Sequence, residues 1–381
     1  MPVMNATIST ETEVGLLKQI SLGIFLGLIV LLTIIGNLLV IGAVLIDYSL
    51  RTCTNYFILS LAIADLLLGI LVLPFSLLNE VLGKWIIGQE MCVIWCVVDV
   101  LCCTASILNL LIISLDRWLA ISYPMRYHSF ATRKRAIIAI ILVWFLSVLI
   151  CLPPVFGWRK EPTDENKCEL TDEIGYVIYS ALGSFWIPSI ILIIVYSRIY
   201  VVAARQTKQI AKQQAQLGEI KEEETPSVSS SPAIKVKDAL PLRKLKKFAK
   251  EKRAAKTLAV VVGTFLVCWT PFFTVYILHN FVSVPKTLFK IVFWLGYCNS
   301  ALNPMIYPFF SRDFRTAMKK MLSKIFCRWE KSIDNYRRSS GATTTRLKDA
   351  SRTTTMEFYA DETSRVELRQ KKESRSLLDK K

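Results

Sequence analysis

Residues 92–124 read CVIWCVVDVLCCTASILNLLIISLDRWLAISYP, and this stretch decides the fold. From Val93 to Leu115 it is almost wholly apolar, yet it holds Asp99 inside and Asp116-Arg117 at its end. As a helix, the run from Cys92 to Arg117 spans about 37 Å, enough to cross a bilayer. Asp99 then lies about 10 Å below Cys92, and Arg117 about 27 Å below Asp99. The interval between the two is about five turns, so both face one way, with Cys103, Ser106, Leu110 and Ile113 between them. A carboxylate at that depth costs about 2.5–3.5 kcal/mol to insert and needs a partner or a watery cavity. It could be protonated, or paired with a basic side chain of another span. No other apolar run carries Lys or Arg at matching depth, so the expected partner is a cation arriving from outside.

The rest of the chain repeats the pattern. It has 381 residues, 53% hydrophobic, with formal charge +17. Separate apolar spans and basic loops combine such values; one soluble core does not. The basic residues cluster between and after apolar runs, which argues against nucleic acid as the partner. Spans are expected at about 21–46, 56–79, 92–117, 136–156, 175–204, 254–280 and 287–310, each of membrane-crossing length. The fold class is therefore an all-α seven-helix membrane bundle, occupying 21–310.

Loop charge sets the orientation. Lys84 and Lys286 stand nearly alone in the second-to-third and sixth-to-seventh connections, whereas Arg126, Arg133, Lys134 and Arg135 crowd the third-to-fourth. The fifth-to-sixth connection, 205–253, is strongly basic toward its end. A plasma-membrane protein with its N-terminus outside and C-terminus inside is expected. Residues 1–20 form the outer N-terminus, where Asn5-Ala6-Thr7 is a glycosylation candidate, although such tripeptides are common by chance. Residues 311–327 set Phe314, Met318 and Leu322 against Arg315, Lys319 and Lys320, which reads as an amphipathic helix on membrane lipid. Cys327 at its end is a palmitoylation candidate. Residues 328–381 form a charged, disordered tail. Its Ser339, Ser340, Thr343–Thr345 and Thr353–Thr355 suit a kinase and an arrestin-like protein, or are plain filler.

Ten cysteines and two histidines show no paired Cys-x-x-Cys spacing, so no metal centre is expected. His128 and His279 fall near opposite membrane faces, and no nucleophile–base set shares a side, so an enzyme is not expected. A transporter would call for paired repeats and charges along a through-path, which are not evident.

Several polar and aromatic residues fall at helical spacing. Ser180 and Ser184 are four apart; Trp269, Phe272, Phe273 and Tyr276 follow 0, 3, 4, 7; Phe293 and Tyr297 are again four apart. Taken singly, such stripes are ordinary core, and membrane serines usually bond their own helix. With Asp99 at similar depth they outline a pocket for a small protonated amine on a hydroxylated ring. The ammonium pairs with Asp99, the rings add about 0.5–2 kcal/mol by cation–π attraction, and ring hydroxyls bond the serines. A deeper layer of Asp65, Ser106, Asn299 and Asn303 could hold a sodium ion or a proton, or satisfy broken helices. No other cofactor is expected. At the inner end, Arg117 could pair with Asp116 and with Glu251, a latch broken when span six moves. Tyr196 and Tyr307 complete this switch set.

Asp116-Arg117-Trp118, Cys268-Trp269-Thr270-Pro271 and Asn303-Pro304-Met305-Ile306-Tyr307 resemble the signature motifs of rhodopsin-like G-protein-coupled receptors. Asn37, Asp65, Trp144 and Pro188 match a landmark in each remaining span. Within that family, DVLCCTASILNL and CWTPFF are similar to biogenic-amine receptors. The run KFAKEKRAAKTLAVVVG is similar to alpha-1-type adrenergic and alpha-like octopamine receptors. The resemblance implies ligand contacts at Asp99, Val100, Cys103, Ser180, Ser184, Trp269, Phe272, Phe273, Phe293 and Tyr297, with Tyr276 as an added hydroxyl. It implies a Cys92–Cys168 disulfide, a heterotrimeric G-protein partner and Gq-type calcium release. Serotonin- or dopamine-type coupling through Gs or Gi is the alternative. Two departures stand out. Trp118 replaces the usual Tyr, and Ala181 lies between the pocket serines, which suits a phenolamine as well as a catecholamine.

Overall fold

The computed structural model describes residues 2–158, 164, 166–171, 173–223, 232–324 and 327–328; the side chains of 2–15, 128, 210–223 and 232–254 lie outside the description. The chain divides into Met1–Lys319 and Lys320–Lys381. In the second unit, 320–324 and 327–328 are helical and the Cys327 thiol is exposed.

The first unit is all helix among the described residues. In order these are α1 (Pro2–Ile46), α2 (Cys53–Leu71), α3 (Leu73–Leu82), α4 (Gln89–Ser122), α5 (Pro124–Phe130), α6 (Arg133–Cys151), α7 (Ile174–Ala181), α8 (Ile187–Glu223), α9 (Pro232–Leu278) and α10 (Lys286–Phe310). Six stretches are long and apolar enough to cross a membrane: Leu16–Ile46, Cys53–Leu82, Gln89–Ser122, Arg133–Cys151, Ile174–Gln209 and Ala255–Leu278. The seventh expected span, α10, has 25 residues, ample length for a crossing. Asn299, Ser300, Asn303 and two internal prolines lower its mean hydropathy. It packs against α9 and α1, inside the same bundle.

The central helix is α4, which touches α2, α6, α8 and α9. The helices begin and break where the chemistry requires. Thr52 and Thr132 cap α2 and α6, each side chain accepting a backbone N–H three residues on. Pro74 has no N–H to give, and the second span divides at Val72 into α2 and α3, the latter ending at Gly83 with φ 66°. In the fifth span Pro188 removes another donor, and the turn Leu182–Trp186 just before it is π-helical. This wide turn carries Ser184 and departs from the regular spacing expected between Ser180 and Ser184. Trp144 Nε1 donates to Ser60 Oγ at 3.1 Å, tying α6 to α2. A Cβ on Gly36 would come within 2.6 Å of Pro304 Cγ, so only glycine lets α1 lie this close to α10.

Two end segments bear on the expected division of the chain. The backbone of α1 is helical from Pro2, through the outer segment expected at 1–20; the side chain of Asn5 lies outside the description. Residues 312–319 are helical after α10, and Phe314, Ala317 and Met318 are buried in the core, with Phe314 stacked on Tyr307 at 5.5 Å. That apolar face is covered by the bundle itself. The tail serines and threonines lie outside the described residues.

Candidate functional site

Asp99 sits on the inner face of α4 with 4% of its surface exposed. Its Oδ1 accepts the Cys103 thiol from one turn below at 3.6 Å. Among the described residues no Lys or Arg forms an ion pair with it. Lys290 of α10 is paired with Glu80 of α3 at 2.8 Å.

The carboxylate opens on a cavity of about 380 Å³ with the open mouth counted in. The lining includes Val100 and Cys103 of α4, Ser180 and Ser184, and Trp269, Phe272, Phe273 and Tyr276 of α9, with Phe293 of α10. Ten of the eleven residues expected at the ligand thus share one cavity. Tyr297 is fully buried instead, its ring 4.6 Å from Phe293 and edge-on to Trp269. It forms a floor behind the wall. Two lining residues escaped the sequence reading, Thr104 and Leu170. Leu170 belongs to the loop before α7 and stands two residues after Cys168. The disulfide implied by the resemblance is present between Cys92 and Cys168, and holds that loop over the cavity. Further bonds fix the loop: Trp85 N–H donates to Asn166 O at 2.8 Å and Gln89 Nε2 to Lys167 O at 2.9 Å. Within it, the Asn166 backbone N–H and the Lys167 ammonium hold the Asp164 carboxyl below its usual range.

The two serines already bond their own helix, Ser180 Oγ to Val177 O at 3.3 Å and Ser184 Oγ to Ser180 O at 2.5 Å. Each hydroxyl still has lone pairs free to accept a ligand O–H. The rings opposite are in contact: Phe272 meets Phe273 at 5.1 Å and Phe293 at 5.3 Å, and Phe273 stacks on Phe185 at 4.5 Å. Phe185 in turn meets Phe265, and Phe265 meets Trp269. Offset and edge-on contacts like these each add about 0.5–1.5 kcal/mol beyond burial.

Below the cavity, Ser106 Oγ and Ser300 Oγ donate to Asp65 Oδ1 at 3.1 and 2.8 Å, and Asn303 Nδ2 to Oδ2 at 2.8 Å. Asn299 lies fully buried, and among the described residues neither of its amide atoms, nor Asn303 Oδ1, has a hydrogen-bond partner. The Asp65 carboxylate and the Ser106 and Ser300 hydroxyls bring together oxygen atoms of the kind that suit a small hard cation.

At the inner end, Arg117 pairs with Asp116 at 2.7 Å. Thr54 of α2 and Tyr127 of α5 complete a closed ring of bonds that the sequence reading missed. Tyr127 Oη donates to Asp116 Oδ1 and accepts from Arg117 Nη2, both at 2.9 Å. Thr54 Oγ1 donates to Asp116 Oδ2 at 2.6 Å and also accepts from Arg117. Burial pushes the Tyr127 hydroxyl well above its ordinary value, so it remains a proton donor. The side chain of Glu251 lies outside the described residues. Tyr196 and Tyr307 bury their hydroxyls, that of Tyr196 near Ser114. Trp118 is half-buried and meets Tyr123 edge-on at 6.0 Å, beside the cluster of Ile121, Val195, Ile199 and Ala255.

Comparison with known proteins gives this geometry a family. The model of the 7 transmembrane receptor (rhodopsin family) matches residues 36–307. The mouse alpha-1A adrenergic receptor is 45% identical over 81% of this chain and 69% of its own length. Its human counterpart is 44% identical over 84% and 71%, and the rat alpha-1D adrenergic receptor 40% over 80% and 58%. These relatives are receptors, not enzymes. With the motif-bearing spans, the central carboxylate and the Cys92–Cys168 disulfide all on one bundle, the chain belongs to the rhodopsin family of seven-transmembrane receptors.

Proposed function

We propose that this chain is a plasma-membrane receptor for a protonated phenolamine or catecholamine. The observation that carries the reading is Asp99, buried and without a basic partner among the described residues, facing aromatic walls and two serines across one cavity. The ammonium binds Asp99, Phe272 and Phe293 flank it, and the ring hydroxyl bonds Ser180 or Ser184. Ala181 leaves two hydroxyls on this wall, which favours a single-hydroxyl ring as readily as a catechol. Relatives named adrenergic receptors support an amine ligand.

Ligand pressure on Phe273 and Trp269 biases α9 outward at its inner end. Arg117 then leaves Asp116, Thr54 and Tyr127, and any contact with Glu251, for a heterotrimeric G protein. The buried hydroxyls of Tyr196 and Tyr307 are candidates to meet the rearranged network. Asp65, with Ser106, Ser300 and Asn299, would hold a sodium ion that stabilises the resting arrangement. Coupling to Gq with calcium release is the alpha-1-like expectation. The N-terminus lies outside, glycosylated at Asn5; Cys327 carries palmitate on the inner leaflet, and the tail takes up a kinase and an arrestin-like protein.

The test is a screen of the full chain in cells against octopamine, tyramine, noradrenaline, dopamine, serotonin and histamine, reading calcium and cyclic AMP together. A calcium response to a phenolamine or catecholamine at the lowest concentration supports the proposal. Preference for serotonin or histamine, or a purely cyclic-AMP response, overturns the ligand or coupling part respectively. Amine-driven currents without a G protein overturn the receptor reading altogether.

A further inference from the structure

Three sulfur atoms meet at the outer end of α4. Cys96 stands one turn below Cys92 on the same face, and the Sγ atoms of Cys92, Cys96 and Cys168 all lie within 4.8 Å of one another. Cys92 and Cys168 form the disulfide, whereas Cys96 keeps its thiol. That thiol lines a second cavity of about 340 Å³, with Val93, Val97, Cys151, Glu169 and Tyr176 around it. The thiol is partly exposed. This second cavity adjoins the cavity of Asp99, for Val100 and Leu170 line both. The thiol also reaches the loop backbone, donating to Glu169 O at 3.8 Å, next to Cys168.

We propose that Cys92, Cys96 and Cys168 form a thiol–disulfide exchange site in which Cys168 passes between the two cysteines of α4. The Cys96 thiolate attacks Cys168 Sγ; the Cys96–Cys168 bond forms as the Cys92–Cys168 bond breaks. The electron pair leaves on Cys92 Sγ, which takes up the proton that Cys96 released to solvent. One disulfide and one thiol stand on each side, so no oxidant or reductant is consumed. The step needs only a thiolate within reach of a disulfide sulfur, and the clustering of the three atoms supplies that.

The exchange moves the anchor of the loop down α4 by about one turn, roughly 6 Å along the axis. It draws Leu170 toward Asp99 and strains the bonds of Asn166 to Trp85 and of Lys167 to Gln89. The amine cavity therefore has two mouths, set by which cysteine holds the loop. The sulfur chemistry stands without the amine reading; its effect on ligand potency rests on that reading.

The experiment equilibrates the purified full chain with a catalytic amount of cysteamine, alkylates it without reduction, and maps the modified cysteines by peptide mass spectrometry. The expected result is alkylated Cys92 together with a Cys96–Cys168 linkage in up to about one molecule in ten, a populated minor state. Cys96→Ser abolishes that signal. Alkylation of Cys96 alone, with Cys92–Cys168 intact in every molecule, overturns the proposal. A Cys92→Ser variant is expected to link Cys96 to Cys168, and an alkylated Cys168 in that variant counts equally against it. Should that variant fail to reach the membrane, the wild-type labelling decides alone. In cells, cysteamine is expected to shift amine potency in the wild type and not in Cys96→Ser. Linkage exchange with no amine response of any kind rejects the amine reading and leaves the sulfur chemistry standing.

Discussion

Replacing Asp99 by Asn keeps the shape of the side chain and removes its charge. Two unit charges 4 Å apart attract by about 4 kcal/mol at an effective dielectric near 20, the regime of a partly dry protein site. Asp99 is in that regime, since only 4% of it is exposed and rings wall the cavity. The Asn amide can still hydrogen-bond an ammonium through its oxygen, recovering about 1 kcal/mol. The net loss is about 3 kcal/mol, a potency decrease of about 100-fold at 1.4 kcal/mol per decade. The folded receptor should not suffer. Asp99 has no ion pair to lose among the described residues, only the Cys103 thiol contact and the nearby Tyr297 hydroxyl, and a carboxamide is cheaper to bury than a carboxylate. Calcium dose–response curves are therefore to be measured at matched surface expression, alongside thermal stability of the ligand-free protein. The expected pair of results is a large right shift with unchanged or higher stability. Potency within threefold of wild type would falsify the ammonium pairing, and a stability loss matching the potency loss would make Asp99 a structural residue.

Ser180→Ala and Ser184→Ala should each weaken a phenolic amine by about 0.5–1.5 kcal/mol, or roughly two- to tenfold, and leave phenethylamine, which lacks the ring hydroxyl, unaffected; equal losses for both amines would place the effect on the helix rather than the ligand. Tyr127→Phe removes a donor to Asp116 and an acceptor for Arg117, so basal calcium signalling without ligand should rise; unchanged basal output would show that the ring of bonds does not restrain activation. Gly296→Ala brings a Cβ within 2.8 Å of the Trp269 ring, so the indole must shift, at a cost of about 1–3 kcal/mol in thermal stability. A fully stable variant with wild-type potency would mean that Trp269 has room to move freely.

Much of the bundle was legible because its signals are local. Apolar runs and loop charge give the spans and their direction, and Asp99, Ser180 and the 269–276 stripe each lie at a spacing that a single helix dictates. What escaped reading depends on contacts between distant parts of the chain. Thr54 lies 62 residues from Asp116, and nothing in its own neighbourhood signals that partner. Tyr127 sits in a short connection whose helix, α5, has only seven residues. Leu170 reaches the cavity from a loop tethered at Cys168, a link that family resemblance supplied and the spacing of ten cysteines did not. The π-helical turn at Leu182–Trp186 arises from Pro188 acting on the turn before it, and helical periodicity assumes no such widening. Tyr297 fitted the stripe with Phe293 and yet forms the floor, since periodicity identifies a face and not how deep a side chain is covered.

The contact of Phe273, Phe185, Phe265 and Trp269 has a mechanical consequence. Benzene rings resist compression, so a push on the first ring is handed on rather than absorbed, much as a connecting rod transmits a stroke. An aliphatic side chain in the same place bends at its rotamers and dissipates the displacement. Exchanging Phe185 for Leu should thus leave occupancy of the cavity nearly intact while blunting the stroke delivered to the inner half of the bundle, separating how tightly a messenger is held from how strongly it is heard.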